Sequence, residues 1–87
     1  MELGDIVYSK AGRDAGKHYA VVEIIDETRV KIADGDLRHI KSAKTKNIKH
    51  LHETGDCLDK IAEKLKNGTQ VFDAELFSAL RFYNDKQ

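Results

Sequence analysis

The run at residues 19–26, "YAVVEIID", restricts the fold most because it is apolar on both faces of an extended strand. In that conformation successive side chains point to opposite sides. One side carries Ala20, Val22 and Ile24, and the other carries Tyr19, Val21 and Ile25. A strand with two apolar faces is typical of a buried position. The run therefore predicts a central, bent strand in a small closed sheet.

Shorter β-rich runs surround this central strand. They lie at 6–10 ("IVYSK"), 29–33 ("RVKIA"), 37–41 ("LRHIK") and, more weakly, 47–51 ("NIKHL"). The chain has no proline, so its turns must use Gly, Asn and Asp, and Asp34-Gly35 is a strong hairpin signal. Four or five short strands within the first half of the chain predict a small β-barrel.

The hydrophobic period changes near Gly55, where two short helices are expected. Asp56 is a suitable N-cap for a first helix, and the sequence "NG" at 67–68 is suited to end it. A second helix should begin near Asp73. The apolar stripes are Leu58, Ile61, Ala62 and Leu65 in the first helix, and Leu76, Phe77, Leu80 and Tyr83 in the second. We therefore predict a barrel over 1–53 and a helical extension over 54–87 that packs on it.

Length and composition limit the classes of function. An 87-residue chain forms one domain with a small core and has little room for an enclosed active site. The single cysteine, Cys57, excludes an intramolecular disulfide and fits a reducing compartment. No apolar run is long enough to span a bilayer, and the N-terminus lacks the pattern of a secretory signal. We expect a non-catalytic, cytoplasmic protein that uses no cofactor.

The formal net charge of zero conceals a basic segment. Residues 1–37 carry a net charge of −3 and residues 53–87 carry −2, whereas residues 38–52 carry five Lys or Arg and no acid. The basic segment also holds three of the four histidines. Local charge, rather than the total, determines where a polyanion binds.

The stretch "AGRDAGK" at 11–17 has three interpretations. As a phosphate-binding loop of an NTPase it has the wrong spacing, because only three residues separate Gly12 from Gly16 and His18 follows Lys17 where Ser or Thr is needed. It can be a hairpin turn with solvated charges. It can also contact RNA, since glycines allow close backbone approach and Lys10, Arg13 and Lys17 supply donors. The loop alone does not separate the last two.

The order of strand, "AGRDAGK", apolar strand, turn, strand and "DG" resembles the KOW motif of ribosomal and transcription-associated proteins. The similarity is closest to the fourteen-e family of large-subunit ribosomal proteins and its short stand-alone bacterial relatives, and it covers about residues 3–50. It implies an SH3-like barrel in which the loop ending at Gly16 contacts RNA. The near-neutral pI and Asp14 leave both a ribosomal protein and a ribosome-associated factor open.

The candidate RNA-binding residues come from the loop and from the basic segment. They are Lys10, Gly12, Arg13, Gly16, Lys17, His18, Arg38, Lys41, Lys44, Lys46 and Lys49. Lysines in the basic segment can equally protect a sheet edge from aggregation. Tyr8 or Tyr19 can stack on an unpaired base or lie in the core.

Two further possibilities concern chemistry and protein partners. His50 and His52, with His39 or Cys57, do not supply the four well-spaced ligands of a zinc site, so no metal is expected. Cys57 is expected in a first helical turn, where a thiolate can be stabilised, although a small packing residue is the simpler interpretation.

The expected partner is RNA, with structured rRNA first, and ribosomal proteins are possible neighbours. The alternative is an SH3-like protein-interaction module with an apolar patch on the helices, formed by Phe72, Phe77, Phe82 and Tyr83.

Overall fold

The computed structural model describes residues 1–10 and 17–84, in which five strands precede two α-helices. The strands are β1 (Asp5–Ser9), β2 (His18–Ile24), β3 (Arg29–Ala33), β4 (Lys44–Asn47) and β5 (Leu51–Cys57). The helices are α1 (Asp59–Lys66) and α2 (Asp73–Asn84). A first 3-10 turn (Ile40–Ser42) precedes β4, and a second (Ile48–His50) joins β4 to β5. The predicted class, mainly β with two C-terminal helices, is confirmed.

The strands form one antiparallel sheet in the order β4-β3-β2-β1-β5. Its two edge strands, β4 and β5, are consecutive in the chain. The second 3-10 turn bonds to segments next to two different strands. The Ile48 amide donates to the carbonyl of Thr28, which precedes β3, and the His50 carbonyl accepts from the amide of Lys10, which follows β1. The sheet is therefore curled. Within the described residues no strand ladder closes it by pairing β4 with β5.

The first three predicted strands are confirmed, and the last two are wrong. The segment 37–41 is a bend followed by 3-10 turn, because the Asp34 carboxylate accepts the amides of Asp36 and Arg38 and so fixes a local loop. The segment 47–51 is mostly the second 3-10 turn. The fourth and fifth strands lie instead at Lys44–Asn47 and Leu51–Cys57.

The two predicted helices exist, but the first starts later than expected. Asp56 belongs to β5 and caps no helix, and the residue before α1 is Leu58, which makes no side-chain cap. Gly68 follows α1 with a φ of +73°, as its position in the "NG" signal predicts. The expected boundary between barrel and helices, at 53/54, falls inside β5. None of the described helices is long and apolar enough to cross a membrane.

The sheet has an apolar cluster on each face. One cluster lies inside the curl and consists of Val7, Tyr19, Val21, Val30, Ile32 and Leu51. The other joins the sheet to the helices and consists of Ile6, Ala20, Ala33, Ile61, Val71, Leu76 and Leu80. This explains why the central strand is apolar on both sides. The helices bury their stripes against the outer face of the sheet.

Candidate nucleic-acid interface

The antiparallel topology brings most of the predicted cations to one end of the sheet. We call this the basic end: the end at which β1 and β3 finish and β2, β4 and β5 begin. Lys17 and His18 are at the start of β2, Lys10 follows β1, and Lys44 starts β4. Arg38 and Lys41 lie in the connection from β3 to β4. Segments far apart in sequence thus contribute to one surface.

Lys10 and Lys49 lie on either side of one backbone hydrogen bond. The Lys10 amide donates to the His50 carbonyl at 3.0 Å, which holds the residue after β1 against the second 3-10 turn. Asn47 stabilises that turn, since its side chain accepts the Lys49 amide at 2.9 Å. Lys10, Lys49 and His50 are all exposed. The fold therefore presents two ammonium groups and an imidazole from adjacent backbone positions.

Lys17 and Arg38 meet at a buried carboxylate. Lys17 Nζ lies 2.7 Å from Asp34 Oδ2, and Asp34 is only 1% exposed. Asp34 Oδ1 accepts the amides of Asp36 and Arg38. Burial alone would raise the pKa of Asp34, but the hydrogen bonds from Lys17 and these amides outweigh it and hold that pKa below its ordinary value. The Lys17 charge is thus largely compensated within the fold.

The lysines of the basic segment differ in their surroundings. Lys44 and Lys46 stand opposite Ile32 and Val30 on the edge strand β4, where they are half-buried. Lys41 is exposed in the first 3-10 turn. Within residues 1–10 and 17–84, no ion pair involves Lys10, Lys41, Lys46 or Lys49. These four cations remain available to an external anion.

Acidic residues concentrate at the opposite end of the sheet, which we call the acidic end. It holds Glu2, Asp5, Glu23, Asp26, Glu27, Asp56 and Asp59. The cations there are paired: Arg29 binds Asp26 at 2.8 Å, and Lys31 lies 3.9 Å from Glu23. Hydrogen bonds from Arg29 and from the Thr28 amide lower the pKa of Asp26 to about 2, so it stays ionised. The basic end has acids of its own, but Asp34 is paired with Lys17, and Asp73 lies beside His39.

Four rings form a row across the outer face of the sheet, which we call the aromatic row: His52, Tyr8, His18 and Tyr83. Tyr8 stacks on His52 with centroids 4.8 Å apart and an interplanar angle of 24°. His18 lies 5.5 Å from Tyr8 and 5.5 Å from Tyr83. Burial lowers the pKa of His18. Of the tyrosines considered for base stacking, Tyr8 is half-buried in this row, whereas Tyr19 is 1% exposed in the core.

Asn84 fixes the last turn of α2 beside the aromatic row. Its side-chain oxygen accepts the His18 amide at 2.8 Å, and its nitrogen donates to the His18 carbonyl at 3.3 Å. The neighbouring Tyr83 hydroxyl donates to Asp56 at 3.0 Å. The helix thereby supports the start of β2.

Three predicted contacts, Gly12, Arg13 and Gly16, lie outside the described residues together with the rest of segment 11–16. The flanking residues on both sides are described. Lys10 is held by its bond to His50, and Lys17 by its pair with Asp34. Lys10 and Lys17 therefore both lie at the basic end.

The histidines and the cysteine do not form a metal centre in the described part of the chain. There, no three His, Cys, Asp or Glu side chains approach closely enough to hold an ion. Cys57 ends β5 instead of starting a helix, which corrects its expected position. Burial and the nearby carboxylates of Asp5 and Asp59 raise the pKa of its thiol. A stabilised thiolate is therefore wrong for this site.

Sequence reasoning did not find the stack of His52 on Tyr8. These residues are 44 positions apart and meet only because β5 pairs with β1, with Tyr8 opposite His52. No family model matches the chain.

Proposed function

We propose that this protein binds RNA without catalysing a reaction, through the basic end of its sheet. The observation that carries the proposal is the distribution of charge: lysines without an ion partner in the described residues gather at one end, and a cluster of seven acids lies at the other. Polyanions bind where local positive potential is high, whatever the net charge of the chain. The predicted contacts Lys10, Arg38, Lys41, Lys44 and Lys49 form the core of this surface. Lys46 extends it along β4.

We infer that the curled sheet is of the SH3-like class and that the chain is a stand-alone KOW-type protein of the cytoplasm. The strand order and the 3-10 turn joining the two edge strands support the SH3-like interpretation. The occurrence of "AGRDAGK" in the sequence between β1 and β2 supports the KOW interpretation. Structured rRNA is the proposed target, and the acidic end is directed away from it.

The proposal is tested by measuring affinity for a structured RNA across a salt series. We expect log K to fall linearly with log salt concentration, because each neutralised phosphate releases counterions. Replacing both Lys10 and Lys49 by alanine should weaken binding several-fold. It should also reduce the slope by roughly 0.7 to 0.9 for each lost contact.

A matched double variant, Lys60→Ala with Lys66→Ala, controls for net charge. Both lysines are exposed on α1, which begins beside the acidic end, where the Leu58 amide donates to the Gly4 carbonyl. This control should bind as the wild type does. Equal losses in the two double variants, or wild-type binding that does not depend on salt, would overturn the proposal.

Association with the ribosome is tested separately in cell extract. At low salt the protein should sediment with large ribosomal subunits, and at high salt it should move to the top of the gradient. Retention at both salt concentrations would indicate a permanent ribosomal protein. Absence from the subunit fractions at low salt would exclude the ribosomal role.

A second candidate function, binding a protein through the helices, is favoured by one observation. Phe72, Phe77 and Phe82 are 60%, 43% and 63% exposed. Large apolar side chains in water often mark an interaction surface. Under this alternative, Phe72→Ala with Phe77→Ala would abolish capture of a protein partner and leave RNA affinity unchanged.

A further inference from the structure

We propose that the aromatic row recognises an unpaired RNA base, which stacks on the outer face of the His52 ring. This inference rests on the proposed function and specifies its ligand: a single-stranded or looped segment rather than a continuous duplex. It assigns a base-contacting role to His52, with Tyr8 and His18 as the rings that position it.

The geometry of the row leaves one end open. Tyr8 lies between two rings, because the His52 centroid is 4.8 Å away and the His18 centroid is 5.5 Å away. Tyr83 extends the row at the His18 end and is itself packed against Phe82, at 5.6 Å in an edge-on arrangement. At the other end, His52 has one described ring neighbour, Tyr8.

The position of His52 in the sheet keeps that end accessible. β5 is an edge strand, and within the described residues no strand pairs with its outer side. His52 is exposed, in contrast with the half-buried Tyr8 and His18. A flat, exposed ring that stacks on Tyr8, and that no other ring of the described residues covers, is a suitable platform for a base.

Charge complements this platform. His50 precedes His52 by two residues, and its carbonyl holds the Lys10 amide at 3.0 Å. Lys49 is the next residue back in the same turn. A nucleotide whose base stacks on His52 would therefore have cations near its phosphates. Stacking on a protein ring combined with backbone cations is how single strands are bound without strict sequence preference.

A duplex does not fit this arrangement. In A-form RNA the bases are already paired and stacked, so no base face is available to His52. Only an unpaired nucleotide can extend the row. We therefore expect the protein to prefer RNA with a loop, bulge or free end.

The experiment compares three RNA ligands built on strands of the same length, so the duplex carries twice the phosphates of either single strand. The first is single-stranded and carries 2-aminopurine, the second has abasic sites in place of the central bases, and the third is the strand annealed to its complement. We expect quenching of 2-aminopurine fluorescence on binding, and about tenfold weaker affinity for the abasic strand. The duplex should bind more weakly per phosphate than the single strand.

Variants of His52 and one control test the assigned residue. His52→Ala should abolish the quenching and remove the preference for bases over abasic sites, while the salt slope stays unchanged. His52→Phe should restore both, because it keeps a flat ring. Phe72→Ala is the control, since it removes an exposed ring on the helical side that is not part of the aromatic row and should leave the quenching intact.

The outcomes separate this inference from the proposed function. Salt-dependent binding with equal affinity for the base-containing and abasic strands would overturn the stacking role and leave RNA binding in place. Wild-type quenching in His52→Ala, with its fold verified by circular dichroism, would overturn the assignment to His52. The absence of any salt-dependent RNA binding would overturn the proposed function and this inference together.

Discussion

Asp34 is the residue on which the geometry of the basic end depends. Its carboxylate is buried: Oδ1 accepts two amides of the loop that follows β3, and Oδ2 pairs with the Lys17 ammonium. Removing one member of a buried ion pair leaves the other without compensation. Lys17 can still reach water, because 27% of its side chain is exposed. Substituting Asp34 should therefore affect stability more than substituting Lys17.

We predict that Asp34→Ala destabilises the protein by about 3 kcal/mol, because it removes the ion pair and leaves two loop amides without their acceptor. Asp34→Asn should destabilise it by about 1 kcal/mol, since the amide oxygen can still accept both backbone amides. Urea titration at neutral pH measures both. Equal effects of the two substitutions would contradict this account of the loop.

The lowered pKa of Asp34 also predicts a pH dependence. A carboxyl group whose pKa is depressed in the folded state contributes stability above its unfolded pKa, about pH 4, and that contribution is lost as the pH falls through the folded value. Wild-type stability should therefore decline below about pH 4. Asp34→Asn should show a flatter decline, measured by urea midpoints at successive pH values. Parallel curves for the two proteins would show that other carboxylates control acid unfolding.

At the scale of elements, the strands and helices with a clear hydrophobic pattern were predicted from the sequence. The elements that depend on backbone hydrogen bonds between distant segments were not. β3 matches its prediction at both ends, and α2 begins at Asp73 as expected. β4, "KTKN", contains no apolar residue, and β5 exposes five of its seven residues, so neither edge strand carries a readable alternation. The segment 37–41 contains Leu37 and Ile40 but forms a loop, because the Asp34 carboxylate accepts the Arg38 amide.

Gly35 determines how closely α2 approaches the sheet. Its φ is +80°, and a Cβ there would meet the Asp73 carbonyl and lie 2.7 Å from the Phe77 amide nitrogen. Asp73 in turn accepts the Ile40 amide at 2.8 Å and lies 3.2 Å from His39, so the loop and the helix start form one unit. The hairpin signal in the sequence identified the turn but not the helix packed on it.

Replacing Gly35 by alanine should therefore displace α2 and destabilise the protein by roughly 3 kcal/mol. Gly55→Ala is the matched control, because Gly55 has a φ of +88° with no atom within 4 Å of the added Cβ. The control should show only the backbone penalty, about 1 kcal/mol. Thermal unfolding followed by circular dichroism compares the two. Similar losses would show that backbone conformation, and not contact with α2, decides the effect at Gly35.

At the scale of the whole molecule, the sheet and the helices share one of the two apolar clusters. Ile6 and Ala20 from the sheet pack with Ile61, Leu76 and Leu80 from the helices. We predict a single unfolding transition, in which helical circular dichroism and tyrosine fluorescence change together. Leu80→Ala should lower both midpoints equally, with a loss of about 3 kcal/mol. Separate midpoints would show that the helices form an independent unit.

The candidate site was predictable in composition but not in arrangement. The lysines were identified from the sequence, because the segment 38–52 lacks acids. Their gathering with Lys10 depends on antiparallel pairing between β1 and β5, and the compensation of Lys17 depends on Asp34, which appeared only as a turn residue. Which strands pair over a long distance depends on the whole fold, so the local sequence pattern of β1 or β5 does not predict their pairing.

The two hydrogen bonds between the Asn84 side chain and the His18 backbone affect how long the purified protein can be stored. The carboxamide donates through one atom and accepts through the other, and no other side chain of that size does both. Slow hydrolysis of this amide during storage would put a carboxylate oxygen against the His18 carbonyl, which repels it. Aged samples would then release the tail of α2 from the strand, and the row of rings beside it would loosen without any change in the rest of the fold.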